Sequence, residues 1–336
     1  MSATAGGRAP HRVRLATRGS PLARWQADRV ASLLAAADPA TRCEVVVVQT
    51  TGDQRLDVPL HRIGGQGVFV KEVQGALADG RADVAVHSAK DLPASTPDGL
   101  VLACVPERAD PRDAMVGSTL AGLATGAMVA TGSVRRRAQL AWLRPDITFC
   151  ELRGNMARRI ELALEVGAGV VAFAALVRLG LEARAAEVLD TDVLLPQVGQ
   201  GALALECRAD DDAVRALLAG IDDPLAHRAV RAERAFLEAL GGGCTLPVGA
   251  LATGAGGSGA RGGAGGAGEI RLDAMIAGRD GHVLLRRRAV GTDPLALGRE
   301  LARTLVDEAG GRALADWLPE GPGPSAPAPA GPGGRR

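Results

Sequence analysis

The alternation of apolar and polar positions divides the first part of the chain into a strand, a helix and a second strand. Val13 to Thr17 is an apolar run of strand length, and the apolar residues from Pro21 to about Ala36 recur at helical spacing. Ser20 supplies an N-cap for this helix, with Pro21 at its first position. The Val-rich run from Glu44 to Gln49 predicts a strand buried on both faces. Together these segments predict a β-α-β unit with a parallel sheet.

The same alternation of strands and helices continues through the middle of the chain. The predicted strands cover residues 83–86, 128–131, 148–152, 169–174 and 202–206, and the predicted helices cover residues 69–78, 134–143, 156–166, 211–221 and 224–240. Two polar, proline-containing segments, 107–113 and 196–201, interrupt this order. They predict two crossings between domains, with a return of the chain to the first domain after the second crossing.

The last third of the chain predicts a smaller α+β unit. Strands are expected at 248–252, 269–277 and 283–289, and a helix at 295–309. Residues 253–268 are almost all Gly, Ala and Ser, residues 319–336 are rich in Pro and Gly, and both are predicted to be disordered. The predicted organisation is a disordered leader at 1–11, a first α/β domain at 12–107 and 203–221, a second at 112–199, a third, α+β, domain at 224–318 and a disordered tail at 319–336.

Length and composition exclude several classes of protein. A chain of 336 residues is expected to form two or three domains of about 100 residues each. The net charge is only +1 and aromatic residues make up 2%, which argues against a nucleic-acid or membrane partner. Five widely spaced cysteines form no metal-binding pattern and are typical of reduced thiols. The longest apolar run, near 167–177, is shorter than a membrane span. We expect a soluble, cytoplasmic, monomeric protein without a metal.

One stretch places ionisable side chains directly after a strand. The apolar run that includes Val84 to Val86 stops on Lys90 and Asp91, and Pro93 limits further regular structure. In open α/β sheets, ligands bind at the carboxyl ends of strands. Asp91 is therefore a candidate catalytic residue, with a solvated Lys-Asp turn as the alternative.

Arginines recur in the first turns of the predicted helices. A cation there opposes the helix dipole, so the repetition calls for a function. Guanidinium groups bind carboxylates in a bidentate manner, and free N–H groups at a helix start also attract anions. The repetition predicts a pocket for several carboxylates, and solvated arginines on exposed helix faces are the alternative. The arginines concerned are Arg18, Arg135, Arg136, Arg153 and Arg159.

Six motifs, in order along the chain, resemble those of the porphobilinogen deaminase (hydroxymethylbilane synthase) family. They lie at residues 14–23, 85–93, 152–155, 198–202, 206–208 and 242–244, the last with Pro247 and Gly249. The resemblance implies two alike α/β domains built like periplasmic binding proteins, a crossing-over chain, and a small C-terminal α+β domain. It also implies a covalent dipyrromethane cofactor, held by a thioether to Cys244.

The activity implied by the resemblance is that of a transferase in tetrapyrrole and haem biosynthesis. Four molecules of porphobilinogen are condensed head to tail with loss of ammonia, and water then releases the linear tetrapyrrole hydroxymethylbilane. Each pyrrole ring carries an acetate and a propionate, which would explain a pocket of arginines. Asp91 matches the catalytic aspartate, placed to stabilise the cationic azafulvene that forms when ammonia leaves. A non-enzymatic protein of the same shape that binds a polycarboxylate or tetrapyrrole is the alternative.

The resemblance also assigns the binding residues. The cofactor-binding residues are Cys244, Ser88, Lys90, Thr131, Ser133, Arg135, Arg136, Arg153, Gly154 and Asn155, and the substrate-binding residues are Arg18, Ser20, Gln26, Arg62, Phe69, Arg159, Arg178 and Gln200. His87 is expected to support the Asp91 loop and not to react. Gln66 stands where many family members have a lysine and Gly132 replaces a serine, and the 253–268 insertion interrupts the third domain.

Overall fold

The computed structural model describes residues 12–50, 70–242, 246–255 and 268–314. The predictions for the leader, for Gln66, for most of the 253–268 insertion and for the tail lie outside these ranges. The strands are β1 (Arg12–Arg18), β2 (Arg42–Val48), β3 (Val84–Ser88), β4 (Leu100–Cys104), β5 (Asp113–Val116), β6 (Met128–Ala130), β7 (Thr148–Cys150), β8 (Gly169–Ala172), β9 (Ala185–Leu189), β10 (Leu203–Arg208), β11 (Val248–Gly254), β12 (Ile270–Ala277) and β13 (Leu284–Gly291).

The α-helices connect or cover these strands. They are α1 (Pro21–Ala37), α2 (Lys71–Ala78), α3 (Val134–Leu143), α4 (Met156–Val166), α5 (Phe173–Arg178), α6 (Asp212–Ala219), α7 (Pro224–Ala239) and α8 (Pro294–Arg303). Short 3₁₀ turns lie at Ala89–Asp91, Glu182–Arg184 and Gly311–Ala313, and a π-helical turn at Thr304–Glu308 follows α8. In the described part of the chain, no helix is long and apolar enough to cross a membrane.

The first sheet has five strands in the order β2-β1-β3-β10-β4. β1 is parallel to β2 and β3, as the β-α-β pattern predicts, whereas β10 is antiparallel to both of its neighbours. Strand alternation sends Leu15 towards Val30 and Leu34 of α1, while the next residue, Ala16, packs with Leu77 of α2. The sheet is therefore covered by helices on both faces.

The prediction that β2 is buried on both faces is wrong. β2 lies at the edge of the first sheet, and most of its residues are exposed or only half-buried. Val47 alone is 45% exposed. A run of valines indicates a preference for β structure, but it does not show that both faces of the strand are buried.

The second sheet repeats the plan of the first, in the order β7-β6-β8-β5-β9. β6 is parallel to β7 and β8, and β5 is antiparallel to both β8 and β9. The predicted strand at 169–174 ends at Ala172, because Phe173 begins α5. The apolar run continues without a break from strand into helix, which hides the boundary in the sequence.

The chain passes twice between the two sheets. After β4 it crosses to enter the second sheet as β5, and after β9 it returns to enter the first sheet as β10. Each crossing therefore leads into the strand that is antiparallel to its neighbours, β5 in the second sheet and β10 in the first. The return that the two polar segments predict is confirmed. In the structure the first crossing consists of residues 105–112 and the second of residues 190–202, and together they connect the two α/β units.

The third sheet has three antiparallel strands in the order β11-β12-β13. On one face Leu272 packs with Phe236 of α7 and Leu301 of α8. On the other face Met275 packs with Ala138 of α3, so the sheet rests on the second unit. β11 runs to Gly254, two residues beyond the predicted strand, and α8 gives way to the π-helical turn at Thr304.

Glu233 of α7 ties both crossing segments to the third sheet. Its fully buried carboxylate accepts hydrogen bonds from Arg108 Nη1 at 2.5 Å and Nη2 at 3.2 Å. It also accepts from the backbone N–H groups of Gly199 at 2.7 Å and Ala252 at 2.8 Å. One side chain therefore fixes the first crossing, the second crossing and β11 to one another.

Candidate active site

Asp91 ends a 3₁₀ turn that begins directly after β3, as the sequence predicts. The turn is held by buried Ala89, whose N–H donates to the carbonyl of Ala202 at 3.0 Å. Gln197 of the second crossing donates its side-chain amide to the carbonyl of Lys90 at 3.1 Å. The position of Asp91 is therefore set by the second crossing between the two α/β units.

Gly199 allows the second crossing to approach this turn closely. Its φ is +71°, and a Cβ atom there would lie 2.8 Å from the carbonyl carbon of Ala89 and 2.9 Å from the nitrogen of Lys90. Any side chain would push the turn away from the crossing. This contact explains why the 198–202 motif has a glycine at position 199.

The first unit contributes a small cavity at the carboxyl ends of β1 and β3. Arg18 ends β1, and Ser20 caps α1 by accepting from the N–H of Ala23 at 3.3 Å. The side-chain amide of Gln26 donates to the hydroxyl of Ser88 at 2.7 Å. Among the residues lining the cavity are Arg18, Ser20, Gln26, His87, Ser88 and Asp91.

A buried network lies behind this cavity. His87 Nε2 is 3.3 Å from the carboxylate of Glu206, which also accepts from the amide of Gln74 at 2.8 Å. Burial alone would raise the pKa of Glu206, but the contacts with His87 and Gln74 lower it overall. His87 is buried and fixes β3 to β10 next to Ser88, which is consistent with the supporting role expected from the sequence.

The second unit contributes two helix starts. Ser133 caps α3 by accepting from the N–H of Arg136 at 3.4 Å, and Asn155 caps α4 by accepting from the N–H of Arg158 at 3.0 Å. Thr131 is buried just before the first of these caps, and its hydroxyl accepts from the N–H of Ser133 at 3.3 Å. Gly154, with φ +96°, makes the turn into α4.

Charged groups of both units act on Arg159 and Lys90. Burial lowers the pKa of Arg159, repulsion by Arg136, Arg153 and Arg18 lowers it further, and Asp91 opposes this effect. Burial also lowers the pKa of Lys90 to about 8, with Asp91 and Asp113 opposing and with Arg136 and Arg159 adding to the decrease. Arg18 and Lys90 come from the first unit, and the other arginines from the second. The structure thus brings them together at one cleft.

Arg135 and Arg136 lie deeper than the other arginines. Their side chains are 3% and 9% exposed, and both donate to the carboxylate of Asp113, which is completely buried. Arg135 also donates to the carbonyl of Leu195 at 2.6 Å, and Arg136 to that of Val170 at 2.9 Å. The two arginines therefore share one buried anion.

Gln200 belongs to the second crossing, and Arg178, at the end of α5, contacts that crossing. Gln200 donates its side-chain amide to the carbonyl of Pro111 at 2.7 Å and to Asp113 Oδ1 at 2.9 Å. Arg178 donates to the carbonyl of Gly201 at 2.7 Å, and burial lowers its pKa to about 10. Both side chains are buried, and their hydrogen bonds tie the second crossing to the first crossing, to β5 and to α5.

Sequence reasoning assigned no role to Asp113, and it noted Glu206 only as part of the 206–208 motif. Residue 113 fell at the end of a polar segment interpreted as a crossing, and residue 206 at the end of a predicted strand. The available signal was a carboxylate next to apolar residues at 114–116 and 202–205, because buried acids occur with a partner. Arg62, Phe69 and Cys244 lie outside the described residues.

Comparison with known proteins identifies the family. A family model described as "Porphobilinogen deaminase, dipyromethane cofactor binding domain" matches residues 13–216. A second, "Porphobilinogen deaminase, C-terminal domain", matches residues 227–307. The chain belongs to the porphobilinogen deaminase family.

Relatives named porphobilinogen deaminase cover nearly the whole chain. The protein of Roseiflexus castenholzii is 47% identical over 306 residues, which make up 89% of this chain and 97% of the relative. That of Acidothermus cellulolyticus is 46% identical and covers 92% of each chain. That of Brevibacillus brevis is 43% identical over 91% of this chain and 98% of the relative.

Solved structures with weaker similarity to this porphobilinogen deaminase family member include periplasmic binding proteins. The methionine binding protein MetQ matches with a TM-score of 0.40 and 13% identity, over 64% of this chain and 91% of its own. A TRAP periplasmic solute binding protein from Desulfovibrio salexigens has a TM-score of 0.39 and 13% identity, over 64% of this chain and 73% of its own.

Proposed function

We propose that this protein is a hydroxymethylbilane synthase, a transferase that acts as a monomer in the cytoplasm. It condenses four molecules of porphobilinogen head to tail with loss of ammonia and releases the linear tetrapyrrole by hydrolysis. The observation that carries the proposal is the position of Asp91 in a cleft between two α/β units, among cations from both. Family membership supplies the reaction, and the cleft supplies groups of the right charge.

The described residues fit the dipyrromethane cofactor of the family. A group with a carboxylate on each side chain of its rings needs several guanidinium or ammonium donors within one pocket. Arg18, Lys90, Arg153 and Arg159 supply such donors around the cleft, and Arg135 Nε is buried without a hydrogen-bond partner. We propose that these residues hold the cofactor's acid groups and that Cys244 anchors it. When bound, the cofactor supplies the pyrrole carbon to which the first substrate is joined.

The arginines also explain how a nearly neutral protein binds a highly anionic product. Each condensed porphobilinogen adds an acetate and a propionate to the cleft. The net charge of the chain is only +1, so the attraction has to be local. Arg18 of the first unit and Arg153 of the second act on Arg159 through their charges, and the partial burial of all three strengthens each charge-assisted hydrogen bond to a carboxylate.

Asp91 is proposed to act on the cation that forms when ammonia leaves porphobilinogen. Loss of the amine places positive charge on the substrate's methylene carbon and pyrrole nitrogen. A carboxylate held rigidly beside that nitrogen stabilises the charge as it develops and needs no reorganisation. The anchors of the turn, Ala89 to Ala202 and Lys90 to Gln197, provide this rigidity.

The test is to follow ammonia and porphobilinogen together. The purified protein should consume four molecules of porphobilinogen and release four of ammonia for each linear tetrapyrrole. Asp91→Asn should lower kcat by about 10²–10³-fold, the scale for loss of one preorganised electrostatic group. Asp98→Asn, an exposed aspartate seven residues further along the chain, is the matched control and should turn over normally.

Two results would contradict the proposal. Binding of porphobilinogen without release of ammonia would favour the non-enzymatic polycarboxylate-binding protein. Normal turnover by Asp91→Asn would remove Asp91 from the mechanism, although the overall activity could stand.

A further inference from the structure

Asp113 is the acceptor shared by two arginines in the first turn of α3. It is the first residue of β5, and its side chain is 0% exposed. One oxygen, Oδ2, accepts from Arg135 Nη2 at 2.8 Å. The other, Oδ1, accepts from Arg136 Nε at 3.0 Å and Nη2 at 2.7 Å. One carboxylate thus orients two guanidinium groups that are consecutive in sequence.

A third donor connects Asp113 to the second crossing. Gln200 Nε2 donates to Oδ1 at 2.9 Å and to the carbonyl of Pro111 at 2.7 Å. The carboxylate therefore joins β5, α3 and the segment that leads back to the first unit. Burial alone would raise the pKa of Asp113, but the two guanidinium groups and Gln200 lower it to about 2. Asp113 is ionised throughout the neutral range.

The negative charge of Asp113 offsets the repulsion between two buried arginines. Arg135 and Arg136 repel each other, and burial lowers the pKa of Arg135. Two buried cations without an anion would be strongly unfavourable, and removal of one partner from a buried ionic cluster is known to be costly. With Asp113 the three groups carry a net charge of +1.

Asp113 and the two carbonyls do not use every N–H donor of the two guanidinium groups. An arginine has five N–H donors. The bonds to Asp113 and to the carbonyls of Leu195 and Val170 use two N–H groups of Arg135 and three of Arg136. The remaining N–H groups include Arg135 Nε, which is buried without a partner. The side chains are fixed while retaining donors for carboxylates.

The same carboxylate acts on Lys90 in the first unit. The charges acting on the ammonium group of Lys90 are Asp91, Arg136, Asp113 and Arg159. Asp113 stabilises the charged ammonium, whereas Arg136 and Arg159 destabilise it. Loss of the negative charge at residue 113 would leave the repulsion by the arginines less opposed.

We propose that Asp113 is a positioning residue for the carboxylate-binding arginines Arg135 and Arg136. It holds Arg135 and Arg136 in the orientation that receives the acid groups of the cofactor and substrate. This inference rests on the proposed function. It concerns a residue to which the motifs of the chain assign no role.

The experiment compares D113N with D273N. Asp273 is a nearly buried carboxylate that pairs at 2.8 Å with the half-exposed Arg288 on the third sheet, so it controls for loss of a carboxylate charge and its ion pair elsewhere. The readouts are the intact mass, which reports loading with two condensed porphobilinogen units, the KM for porphobilinogen and the pH profile. D113N should load incompletely and raise KM at least about tenfold, the effect of losing carboxylate orientation. The alkaline limb of the pH profile of D113N should move to lower pH by about one unit, because Lys90 loses a nearby negative charge. D273N should retain the loading, KM and pH profile of the parent.

D113E provides the test if D113N does not fold. It keeps the charge but displaces the acceptor oxygens by one methylene, so it should load with the cofactor and show a raised KM without the shifted alkaline limb. Parental loading, KM and pH limb in D113N, or a parental KM in D113E, would overturn the inference. If the parent protein itself neither loads nor consumes porphobilinogen, the proposed function fails instead.

Discussion

Arg178 at the end of α5 lies over the indole ring of Trp25 in α1, with its guanidinium carbon 5.7 Å from the ring centroid. α1 covers the first sheet and α5 belongs to the second unit, so this contact joins the two units directly. Burial lowers the pKa of Arg178 to about 10, which still leaves the guanidinium charged at neutral pH. The pair is thus a cation–π contact that supplements the two crossings.

Substitution of Trp25 should weaken the association of the two units. Trp25→Leu removes the π face, and a partly desolvated cation–π contact contributes about 1 kcal/mol. Urea-induced unfolding should therefore begin at a lower midpoint. Trp142→Leu, which replaces a tryptophan that is 50% exposed, is the control. Equal midpoints for the two variants would show that the contact with Arg178 does not stabilise the protein.

The buried ion pair of Arg108 and Glu233 should matter far more than a surface pair. Glu233→Gln leaves Arg108 buried beside a neutral group, and a broken buried pair costs about 3–5 kcal/mol. Glu44→Gln breaks the exposed pair with Arg12 and should cost less than about 1 kcal/mol. Urea denaturation of both variants measures the difference. Similar losses would mean that the junction of the crossings with β11 is not a centre of stability.

Gly199 offers a test of the contact between the second crossing and the Asp91 turn. Gly199→Ala would place a Cβ atom 2.9 Å from the nitrogen of Lys90, so the turn has to move. We expect kcat to fall by at least about tenfold, because small displacements of a catalytic group are costly.

Gly180→Ala is the matched control for this substitution. Gly180 also has a positive φ, +66°, but no atom lies within 4 Å of its Cβ position. It should lose stability through backbone strain and keep its kcat. Equal kcat values for the two variants would mean that the turn tolerates the displacement.

Lys90 should give the activity a limit at alkaline pH. The folded pKa of about 8 lies below the ordinary value of 10.5, so folded Lys90 loses its charge as the pH rises through 8. KM for porphobilinogen should increase there, because an ammonium partner for carboxylates is lost. Lys90→Arg keeps its charge and should move this limb to higher pH. An unchanged limb would exclude Lys90 as its cause.

The same group predicts the opposite trend for stability. Between pH 8 and 10.5 the unfolded chain binds more protons at this position than the folded chain does, so the contribution of Lys90 to stability rises with pH. Denaturation at pH 7.5 and 9.5 of the parent and of Lys90→Met should show this rise only in the parent.

Local signals predicted much of the fold. The spacing of apolar residues and the caps gave α3 and α4 with the bounds that the structure has, and Ser20 caps α1 as expected. Burial of β2 was predicted wrongly because its place at the sheet edge depends on strand order, which no local pattern contains. The boundary of α5 was missed because apolar residues continue across it.

The sequence marked the candidate residues at the ends of strands and helices, but not the buried carboxylate that pairs with two of the arginines. Asp91 and the arginines were marked by motif and by position at element ends. Asp113 accepts from residues that are 22, 23 and 87 positions away, and such pairing exists only once the crossings have folded. The residue types indicated that the ligand is anionic, whereas Asp113, the partner of Arg135 and Arg136, could be identified only from the structure.

The intact mass of the purified protein tests the central claim most directly. We predict a mass excess equal to two condensed porphobilinogen units in the parent and in Cys43→Ser, and no excess in Cys244→Ser. That result would establish the covalent cofactor and its anchor together. No excess in the parent after incubation with porphobilinogen, or an excess retained in Cys244→Ser, would contradict the account.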